Sequence, residues 1–308
     1  MARVVVTGGG GFIGSNLVRA LLERGDEVRV LDNFSTGNRA NLDALDVEIV
    51  EGELRSYERV HNAVRKTEVV YHLGALGSVP RSVQDPLTSS AVNVEGTLNV
   101  LLAARDEGVR RVVFSSSTSV YGSSRKLPTT EDTPPDPISP YGVAKLAAER
   151  YCVSFSRVYH SFETVVLRYF NVFGPRQSPF SQYAAAVPLF ITKIAAGEEI
   201  DVYGDGEQSR DFTFVGNVVD ATIRAGAAVG ASGEIFNVAA GSPASVNHVA
   251  ETIGGIVGQP VRRRELPRRA GDLRDSWADL SKSQRVLGYA PEIALEDGLR
   301  RTIESLLG

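Results

Sequence analysis

The most constraining feature of the sequence is a cluster of glycines that follows a short apolar run at its N-terminus. Residues 3–7 are β-branched and apolar, which is typical of a fully buried parallel strand. Residues 15–24, beyond the glycines, have the apolar spacing of a helix. Strand, glycine-rich turn and helix form the first half of a dinucleotide-binding unit. In such a unit Gly8 and Gly11 let the backbone approach a pyrophosphate, and Gly14 lets helix and strand pack closely. The helix N-terminus would offer free N–H groups to the phosphates.

A second predicted strand, residues 27–31, ends at an acidic residue, Asp32. A carboxylate in this position accepts hydrogen bonds from the ribose hydroxyls of the adenosine and repels a 2′-phosphate. The next residue, Asn33, is not basic, although Arg39 is close in sequence. The sequence therefore favours NAD over NADP as the cofactor.

A tyrosine and a lysine four residues apart, Tyr141 and Lys145, follow in the middle of the chain. On a helix both side chains lie on one face. We expect the ammonium to favour the phenolate and to lower the pKa of Tyr141 from ~10 toward neutrality. Such a phenol can accept the proton of an alcohol while hydride leaves the same carbon. The spacing alone is common in exposed helices, but together with the glycine-rich turn it indicates redox chemistry on an alcohol.

Predicted strands and helices alternate through the first half of the sequence. The strands are 3–7, 27–31, 47–50, 69–72, 111–116 and 164–169, and the helices between them include 56–65, 88–106 and 141–159. This alternation predicts an α/β fold with a Rossmann-type doubly wound parallel sheet, whose ligands bind beyond the carboxyl ends of the strands. We predict a dinucleotide-binding domain over 1–170, which 215–240 rejoins, and a smaller mixed α/β substrate domain over 171–308. The proline-rich stretch 127–140 is expected to cross the surface.

Composition excludes several classes of function. The net charge of −4 gives no reason to expect a nucleic-acid partner. The single cysteine, Cys152, rules out an internal disulfide and a cysteine-based metal cluster, and we expect no metal site. No apolar stretch approaches the ~18 residues needed to span a bilayer. Because the N-terminus leads directly into a core strand, we expect no signal peptide and a cytoplasmic protein.

Motifs along almost the whole chain resemble the extended short-chain dehydrogenase/reductase superfamily, and within it the nucleotide-sugar 4-epimerases that act on UDP-glucose and UDP-N-acetylglucosamine. The motifs are 7–14, 72–75, 93–97, 115–122, 139–141 with Lys145, 168–176, 203–206 and 209–212. The resemblance implies an NAD-dependent isomerase that keeps its cofactor and commonly forms a homodimer through helices 88–106 and 141–159.

The resemblance also implies a set of cofactor-binding residues. These are Gly8, Gly11, Phe12, Ile13, Gly14, Asp32, Asn33, Glu53, Leu54, Leu73, Gly74, Ala75, Asn93, Ser115, Tyr141, Lys145 and Tyr169. Glu53 departs from the family, which carries aspartate there to hold the adenine. The longer side chain should still accept the hydrogen bond.

The reaction that the resemblance implies is inversion at C4 of a UDP-hexose. Tyr141 would take the proton of the 4-hydroxyl, NAD would take hydride from C4, and the 4-keto sugar would turn and receive hydride on its other face. Ser117 would hydrogen-bond the 4-oxygen, with Thr118 as a second candidate, and Lys145 would bind the nicotinamide ribose.

Related enzymes suggest alternatives at this point. Nucleotide-sugar dehydratases and decarboxylases carry carboxylates where this chain has Thr118 and Ser119, because elimination needs an additional acid and base. Their absence favours simple epimerisation. A UDP-glucuronate 4-epimerase, another dehydratase or decarboxylase, and a non-catalytic NAD-sensing protein on the same fold remain open.

The UDP-sugar substrate is expected to lie against a further set of residues. The resemblance assigns Asn171, Arg210 and Arg269 to the diphosphate, Asp272 to the uridine ribose, Val187 and Tyr203 to the uracil, and Ser82, Ser117, Thr118 and Ser276 to the sugar end. A tyrosine at position 276 would restrict the site to UDP-glucose and UDP-galactose. A serine leaves room for an N-acetyl group, so we predict that UDP-GlcNAc and UDP-GalNAc are accepted.

Overall fold

A seven-stranded parallel β-sheet forms the centre of the molecule. The computed structural model describes residues 2–123, 126–179, 185–268 and 273–308. The sheet contains β1 (Arg3–Thr7), β2 (Glu27–Asp32), β3 (Glu48–Glu51), β4 (Val69–His72), β5 (Arg111–Ser117), β6 (Glu163–Tyr169) and β11 (Glu234–Val238). Their order across the sheet is β11-β6-β5-β4-β1-β2-β3, and every pairing is parallel. The predicted doubly wound α/β fold is confirmed.

Helices cover both faces of this sheet. Those that contact its strands are α1 (Phe12–Glu23), α2 (Tyr57–Val64), α5 (Gly96–Asp106), α6 (Pro140–Val158), α8 (Val215–Ala227) and α10 (Ser281–Leu287). The remaining helices pack mainly against other helices or against short strands; they are α3 (Val79–Gln84), α4 (Pro86–Ser90), α7 (Ala186–Ala195), α9 (Val246–Val257) and α11 (Leu295–Leu307). Successive residues of a strand face opposite sides. Val4 and Val6 of β1 accordingly pack with α1 and α8, whereas Val5 packs with α2, α5 and α6.

The direction of winding reverses at the middle of the sheet. From β1 the chain proceeds outward to β2 and β3, and then crosses back to place β4 on the other side of β1. Reversal of this kind leaves a crevice outside the carboxyl ends of the strands, where open α/β sheets bind ligands. The glycine-rich turn after β1 opens into this crevice.

The C-terminal half forms short strands that lie next to the crevice. They are β7 (Val172–Phe173), β8 (Ile200–Tyr203), β9 (Ser209–Arg210), β10 (Thr213–Phe214), β12 (Ala244–Ser245), β13 (Arg263–Leu266) and β14 (Asp275–Ser276). Between them the chain returns to the large sheet, where α8 packs against α1 and β11 pairs with β6. We propose to divide the chain into 1–170 together with 215–240, and the rest of 171–308. No helix among the described residues is long and apolar enough to cross a membrane.

Candidate active site

The glycine-rich turn forms one wall of a cleft of about 440 Å³ at the carboxyl ends of β1, β2, β4 and β5. Two of its glycines, Gly8 and Gly14, have no room for a side chain. A Cβ atom on Gly8, which has φ +71°, would lie 2.7 Å from the amide nitrogen of Gly74, and one on Gly14 would overlap the carbonyl oxygen of Gly8. The N-terminus of α1 therefore opens onto the cleft with bare backbone around it. Such a cradle fits the pyrophosphate of a dinucleotide.

Asp32, at the end of β2, is held in place by backbone amides. Its Oδ2 accepts a hydrogen bond from the Gly10 N–H at 2.8 Å, and its Oδ1 accepts one from the Phe34 N–H at 2.8 Å. Each carboxylate oxygen keeps a further lone pair. Because Asp32 and Asn33 both line the cleft, the remaining lone pairs can accept hydrogen bonds from ribose hydroxyls.

Most of the predicted cofactor-binding residues line this cleft. They are Gly8, Gly11, Phe12, Ile13, Gly14, Asp32, Asn33, Glu53, Leu54, Leu73, Gly74, Ala75, Ser115, Tyr141, Lys145 and Tyr169. Glu53 pairs there with Arg55 at 2.6 Å. Asn93 is buried behind the wall, where its side chain exchanges hydrogen bonds with the backbone N–H and C=O of Leu76. Asn93 therefore does not line the cleft itself but holds Leu76, which does.

The helix that carries Tyr141 and Lys145 begins beside the carboxyl end of β5. Ser139 caps α6 by accepting a hydrogen bond from the Gly142 N–H, and Pro140 occupies the first turn. Ser117, at the end of β5, lies close enough to the Tyr141 hydroxyl to lower the pKa of Tyr141, while its own hydroxyl donates to the Ser119 hydroxyl at 3.1 Å. Lys145 is buried, and its Nζ donates to the Ser115 carbonyl oxygen at 2.8 Å. Ser117, Tyr141 and Lys145, which were predicted to act together, are therefore neighbours in the structure.

The expected effect of Lys145 on Tyr141 is wrong for the protein alone. Burial raises the pKa of Tyr141 to about 12, and the nearby Ser117 hydroxyl offsets only part of this increase. Burial also lowers the pKa of Lys145 to about 8. The ammonium points to the Ser115 carbonyl and lies 6.0 Å from the centre of the Tyr141 ring. The phenol is therefore protonated at neutral pH, and a further positive charge is needed to favour the phenolate.

A second cavity, of about 220 Å³, lies beyond Ser117; we call it the sugar cavity. It is lined by Val79, Thr118, Ser119, Tyr121, Gly122, Leu127, Thr129, Ile138, Ser139, Asn171, Arg210, Leu273, Asp275 and Ser276. Ser276 lies in β14, in register with Arg210 of β9. Thr118, Asn171, Arg210 and Ser276, which were predicted to bind substrate, thus share one cavity.

A third cavity, of about 390 Å³, adjoins the sugar cavity through Asn171 and Arg210. Val187 and Tyr203, the residues predicted to flank the uracil, both line it. The Arg210 guanidinium donates to the carbonyl oxygens of Ser209 and Leu273, at 2.6 and 2.8 Å. Arg210 therefore also links β9 to the segment that precedes Ser276.

Three predicted substrate residues remain: Ser82, Arg269 and Asp272. Ser82 is buried in α3, where its hydroxyl accepts a hydrogen bond from the Tyr141 N–H and donates to the Val79 carbonyl oxygen. It therefore positions the start of α6. Arg269 and Asp272 lie outside the described residues.

Sequence reasoning missed the part of the wall that the proline-rich stretch contributes. This stretch does not simply cross the surface: Leu127 and Thr129 line the sugar cavity, and Thr129 forms a β-bridge with Ala278. The two paired segments are distant in the chain, and neither has a distinctive residue pattern. Neither the hydrophobic periodicity nor a sequence motif could therefore have predicted this contact.

Comparisons with known proteins agree with this geometry. The family model described as the NAD dependent epimerase/dehydratase family matches residues 4–239. A UDP-glucose 4-epimerase from Mycolicibacterium smegmatis is 40% identical over 312 residues, which cover 98% of this chain and 97% of that protein.

Two solved structures are similar over nearly their whole length. The UDP-N-acetylglucosamine 4-epimerase from Methanobrevibacter ruminantium, in complex with UDP-N-acetylmuramic acid, is 37% identical with a TM-score of 0.94, and the match covers 99% of this chain and 98% of that one. The Thermus thermophilus UDP-glucose 4-epimerase, in complex with NAD, is 36% identical with a TM-score of 0.91 and 99% coverage of both chains.

Proposed function

The chain belongs to the NAD dependent epimerase/dehydratase family, in its nucleotide-sugar 4-epimerase branch, and from this premise we propose that it inverts C4 of a UDP-hexose. The substrates that we propose are UDP-glucose and UDP-galactose, together with UDP-GlcNAc and UDP-GalNAc. The observation that carries the proposal is the position of Tyr141, which lines the glycine-lined cleft and has Ser117 close to its hydroxyl, directly before Thr118 and Ser119 of the sugar cavity.

The cofactor is NAD, and the residues of the cleft fit it. The bare backbone at Gly8, Gly11 and Gly14 would hold the pyrophosphate, and the carboxylate of Asp32 would hold the adenosine ribose. When bound, NAD supplies a hydride acceptor and donor and a positive charge near the phenol.

The side chains of Tyr141, Ser117 and Lys145 then have distinct tasks. Beside the positive charge of the bound cofactor the Tyr141 phenol would lose its proton, and the resulting phenolate would accept the proton of the sugar 4-hydroxyl and later return it. Ser117 orients the 4-oxygen toward that phenol through its hydroxyl. The pKa of Lys145, lowered to about 8 by burial, keeps its ammonium mostly charged at neutral pH. One of its three N–H groups is used on Ser115, which leaves two for a ribose hydroxyl.

The chemistry of the sugar cavity favours inversion over elimination. Removal of water or carbon dioxide requires an acid and a base beside the sugar, but Thr118 and Ser119 occupy the positions next to Ser117. Asp275 is the one carboxylate among the described residues that line the cavity, and it accepts a hydrogen bond from the Ser209 hydroxyl at 2.6 Å. This supports an epimerase rather than a dehydratase or a decarboxylase.

The size of residue 276 supports acceptance of N-acetylated sugars. Ser276 is only partly buried and faces the sugar cavity beside Arg210, so a serine there leaves space that a larger side chain would fill. Relatives named for both UDP-glucose and UDP-N-acetylglucosamine are about equally similar to this chain.

The test is incubation of the purified protein, without added NAD, with UDP-GlcNAc, UDP-glucose and UDP-glucuronate in separate reactions. Proton NMR of the anomeric region separates C4 epimers from other products. We expect epimers of the first two sugars, formed without external cofactor. Formation of a dehydrated or decarboxylated product, or no product even after NAD is added, would refute the proposal.

We also propose that the protein forms a homodimer through α3, α4 and α6. These helices contact one another, and together they expose four large apolar side chains, which a second copy of the chain could cover. Val83 and Leu87 are 64% and 83% exposed, and Val143 and Tyr151 of α6 are 53% and 41% exposed. We call these four residues the apolar helix face.

A further inference from the structure

A buried asparagine of the large sheet, Asn237 in β11, connects several segments that form the wall of the sugar cavity. Its side chain has no exposed surface. Its Oδ1 accepts a hydrogen bond from the Tyr121 hydroxyl at 2.6 Å. Its Nδ2 donates to the carbonyl oxygen of Thr129 at 2.9 Å and to that of Asp279 at 3.4 Å. Tyr121 and Thr129 line the sugar cavity, and Asp279 lies three positions after Ser276.

Two of these segments are also bonded to each other. The Thr129 N–H donates to the Trp277 carbonyl oxygen, and the Asp279 N–H donates to the Thr129 carbonyl oxygen, each at 2.9 Å. The Thr129 carbonyl oxygen thus accepts from both Asp279 and Asn237. The strand that carries Ser276 and the loop that forms the facing wall are therefore held to each other and to the sheet at one point.

An asparagine amide is suited to this position. The three contacts need an acceptor for one hydroxyl and donors for two carbonyl oxygens, within a single flat group. The backbone of Asn237 is used as well, because its N–H donates to Glu131 Oε1 at 2.8 Å and its C=O accepts from the Ser283 hydroxyl. With every polar group paired, the residue has one arrangement only, and it fixes the segments around it.

We propose that Asn237 is a positioning residue that sets the width of the sugar cavity, and with it the affinity of the enzyme for the sugar part of its substrate, without touching the substrate. This inference rests on the proposed function, because it takes the cavity beside Ser276 as the place of the sugar. The hydrogen bonds of the Asn237 side chain go to Tyr121, Thr129 and Asp279. We therefore expect its loss to affect the sugar end of the site more than the diphosphate and uracil sites at Arg210, Val187 and Tyr203.

The substitution Asn237→Asp tests the proposal with almost no change in volume. It removes both donors and places an acceptor against the carbonyl oxygens of Thr129 and Asp279, so these segments move away from β11. We would measure binding of UDP, UDP-glucose and UDP-GlcNAc to the NAD-loaded enzyme by titration calorimetry. UDP has no sugar, and its affinity should change less than about twofold. The UDP-sugars should bind about tenfold more weakly, because a shift of about 1 Å is sufficient to lose a positioned contact.

The matched control is Asn217→Asp in α8. Asn217 is also buried and also clamps backbone, donating to the Ile293 carbonyl oxygen and accepting from the N–H groups of Glu292 and Ile293. None of these residues lines the sugar cavity. Asn217→Asp should lower the melting temperature as Asn237→Asp does, but leave the affinities for the two UDP-sugars relative to UDP unchanged. Equal effects of both substitutions on these relative affinities would overturn the proposal.

A milder pair of variants covers the case in which Asn237→Asp does not fold. Glu131→Ala removes the acceptor for the Asn237 N–H, whereas Glu131→Gln keeps one. We expect Glu131→Ala to weaken UDP-sugar binding in the same direction by a smaller factor, and Glu131→Gln to restore it. Affinities that are unchanged in Glu131→Ala would overturn the proposal.

The same titrations separate this inference from the proposed function. A wild-type protein that binds UDP-sugars more tightly than UDP but does not invert C4 refutes the epimerase proposal, and the variants still decide the role of Asn237. A wild-type protein that gains no affinity from the sugar but inverts C4 refutes the role of Asn237 and leaves the epimerase proposal standing.

Discussion

At the scale of single residues, the site combines buried groups whose proton affinities are shifted in opposite directions. Burial raises the pKa of Tyr141 to about 12 and lowers that of Lys145 to about 8. Both shifts favour the neutral form, which is the cost of placing ionisable groups in a poorly solvated cleft. The phenol becomes an effective base only when a positive charge is brought beside it, so the proton acceptor is activated by the bound cofactor.

The direct prediction for Tyr141 concerns the substitution Tyr141→Phe. It removes the hydroxyl and keeps the ring, so we expect the epimerisation rate to fall about 10³-fold while the melting temperature and the bound NAD stay as in the wild type. Activity, absorbance of released cofactor and thermal unfolding check the three quantities. Tyr151→Phe, ten positions further along α6, is the control and should be fully active. A Tyr141→Phe enzyme within tenfold of the wild type would contradict the assigned role.

His72 illustrates a residue with no direct role in the cleft that nevertheless fixes its wall. The Thr97 hydroxyl donates to the Asn93 carbonyl oxygen, so it accepts from His72 Nε2 at 3.0 Å. His72 Nδ1 then accepts from the Thr7 hydroxyl at 2.7 Å, and that hydroxyl accepts from the Gly74 N–H at 3.0 Å. The chain of hydrogen bonds requires a neutral imidazole with its proton on Nε2, and it holds Gly74 against the glycine-rich turn.

This arrangement predicts an acid-dependent loss of stability. Burial lowers the pKa of His72 to about 3, below the value of about 6.5 in an unfolded chain. The unfolded state therefore binds an additional proton between these values, so the stabilisation is complete above pH 6.5 and is lost as the pH falls toward 3. At pH 5 the loss amounts to about 2 kcal/mol.

The measurement compares urea unfolding of the wild type and of His72→Gln at several pH values. With the difference at pH 8 as the reference, the two proteins should converge as the pH is lowered to 5, because only the wild type loses this contribution. Parallel pH profiles for the two proteins would show that His72 is not held neutral.

At the scale of secondary-structure elements, the sequence predicts structure that forms between residues close together in the chain. The unit of β1, glycine-rich turn and α1 is predictable because its strand pattern, its required small residues and its helical spacing follow one another directly. The pairing of Thr129 with Ala278 is not predictable in this way. It joins segments from opposite ends of the chain, and their side chains carry no periodic signal.

Ser276, in the short strand β14, allows a test of selectivity between UDP-GlcNAc and UDP-glucose. In Ser276→Tyr the larger side chain enters the space beside Arg210, so turnover of UDP-GlcNAc should fall by at least about tenfold while that of UDP-glucose stays within about threefold of the wild type. The exposed Ser281→Tyr at the start of α10 is the control for adding a tyrosine nearby. The measurement is the rate of epimerisation of each of the two sugars by each variant, monitored by NMR. Intact turnover of UDP-GlcNAc by Ser276→Tyr would show that this position does not limit the sugar.

At the scale of the whole molecule, the site is produced by the path of the chain. The chain leaves the large sheet after β6, contributes Asn171 and Arg210 to the walls of the second and third cavities, and returns through α8 and β11 to bring Asn237 behind the wall of the second. The residue types at the carboxyl ends of the strands were predictable from the alternating pattern. The distances between Ser117, Ser276 and Thr129 were not, because they depend on that return.

The apolar helix face predicts that the protein is a dimer in solution. In light scattering the wild type should have about twice the 33.1 kDa mass of one chain. Leu87→Arg places a charge on the most exposed residue of the face and should shift the protein toward the monomer. Val229→Arg, at a position that is 92% exposed after α8, is the matched control and should leave the dimer intact. A monomeric wild type, or a dimer that is insensitive to Leu87→Arg, would refute this interface.

The most direct test of the central claim follows the hydrogen on C4 itself. The enzyme would be exchanged into D₂O without added NAD and incubated with UDP-GlcNAc and with UDP-glucose, and the C4 position of the product would be read by NMR. If the Ser117–Tyr141 pair moves only the hydroxyl proton while the cofactor remains bound, the C4 epimer forms and keeps protium on C4. Deuterium on C4, or a product that is not the C4 epimer, would contradict the account.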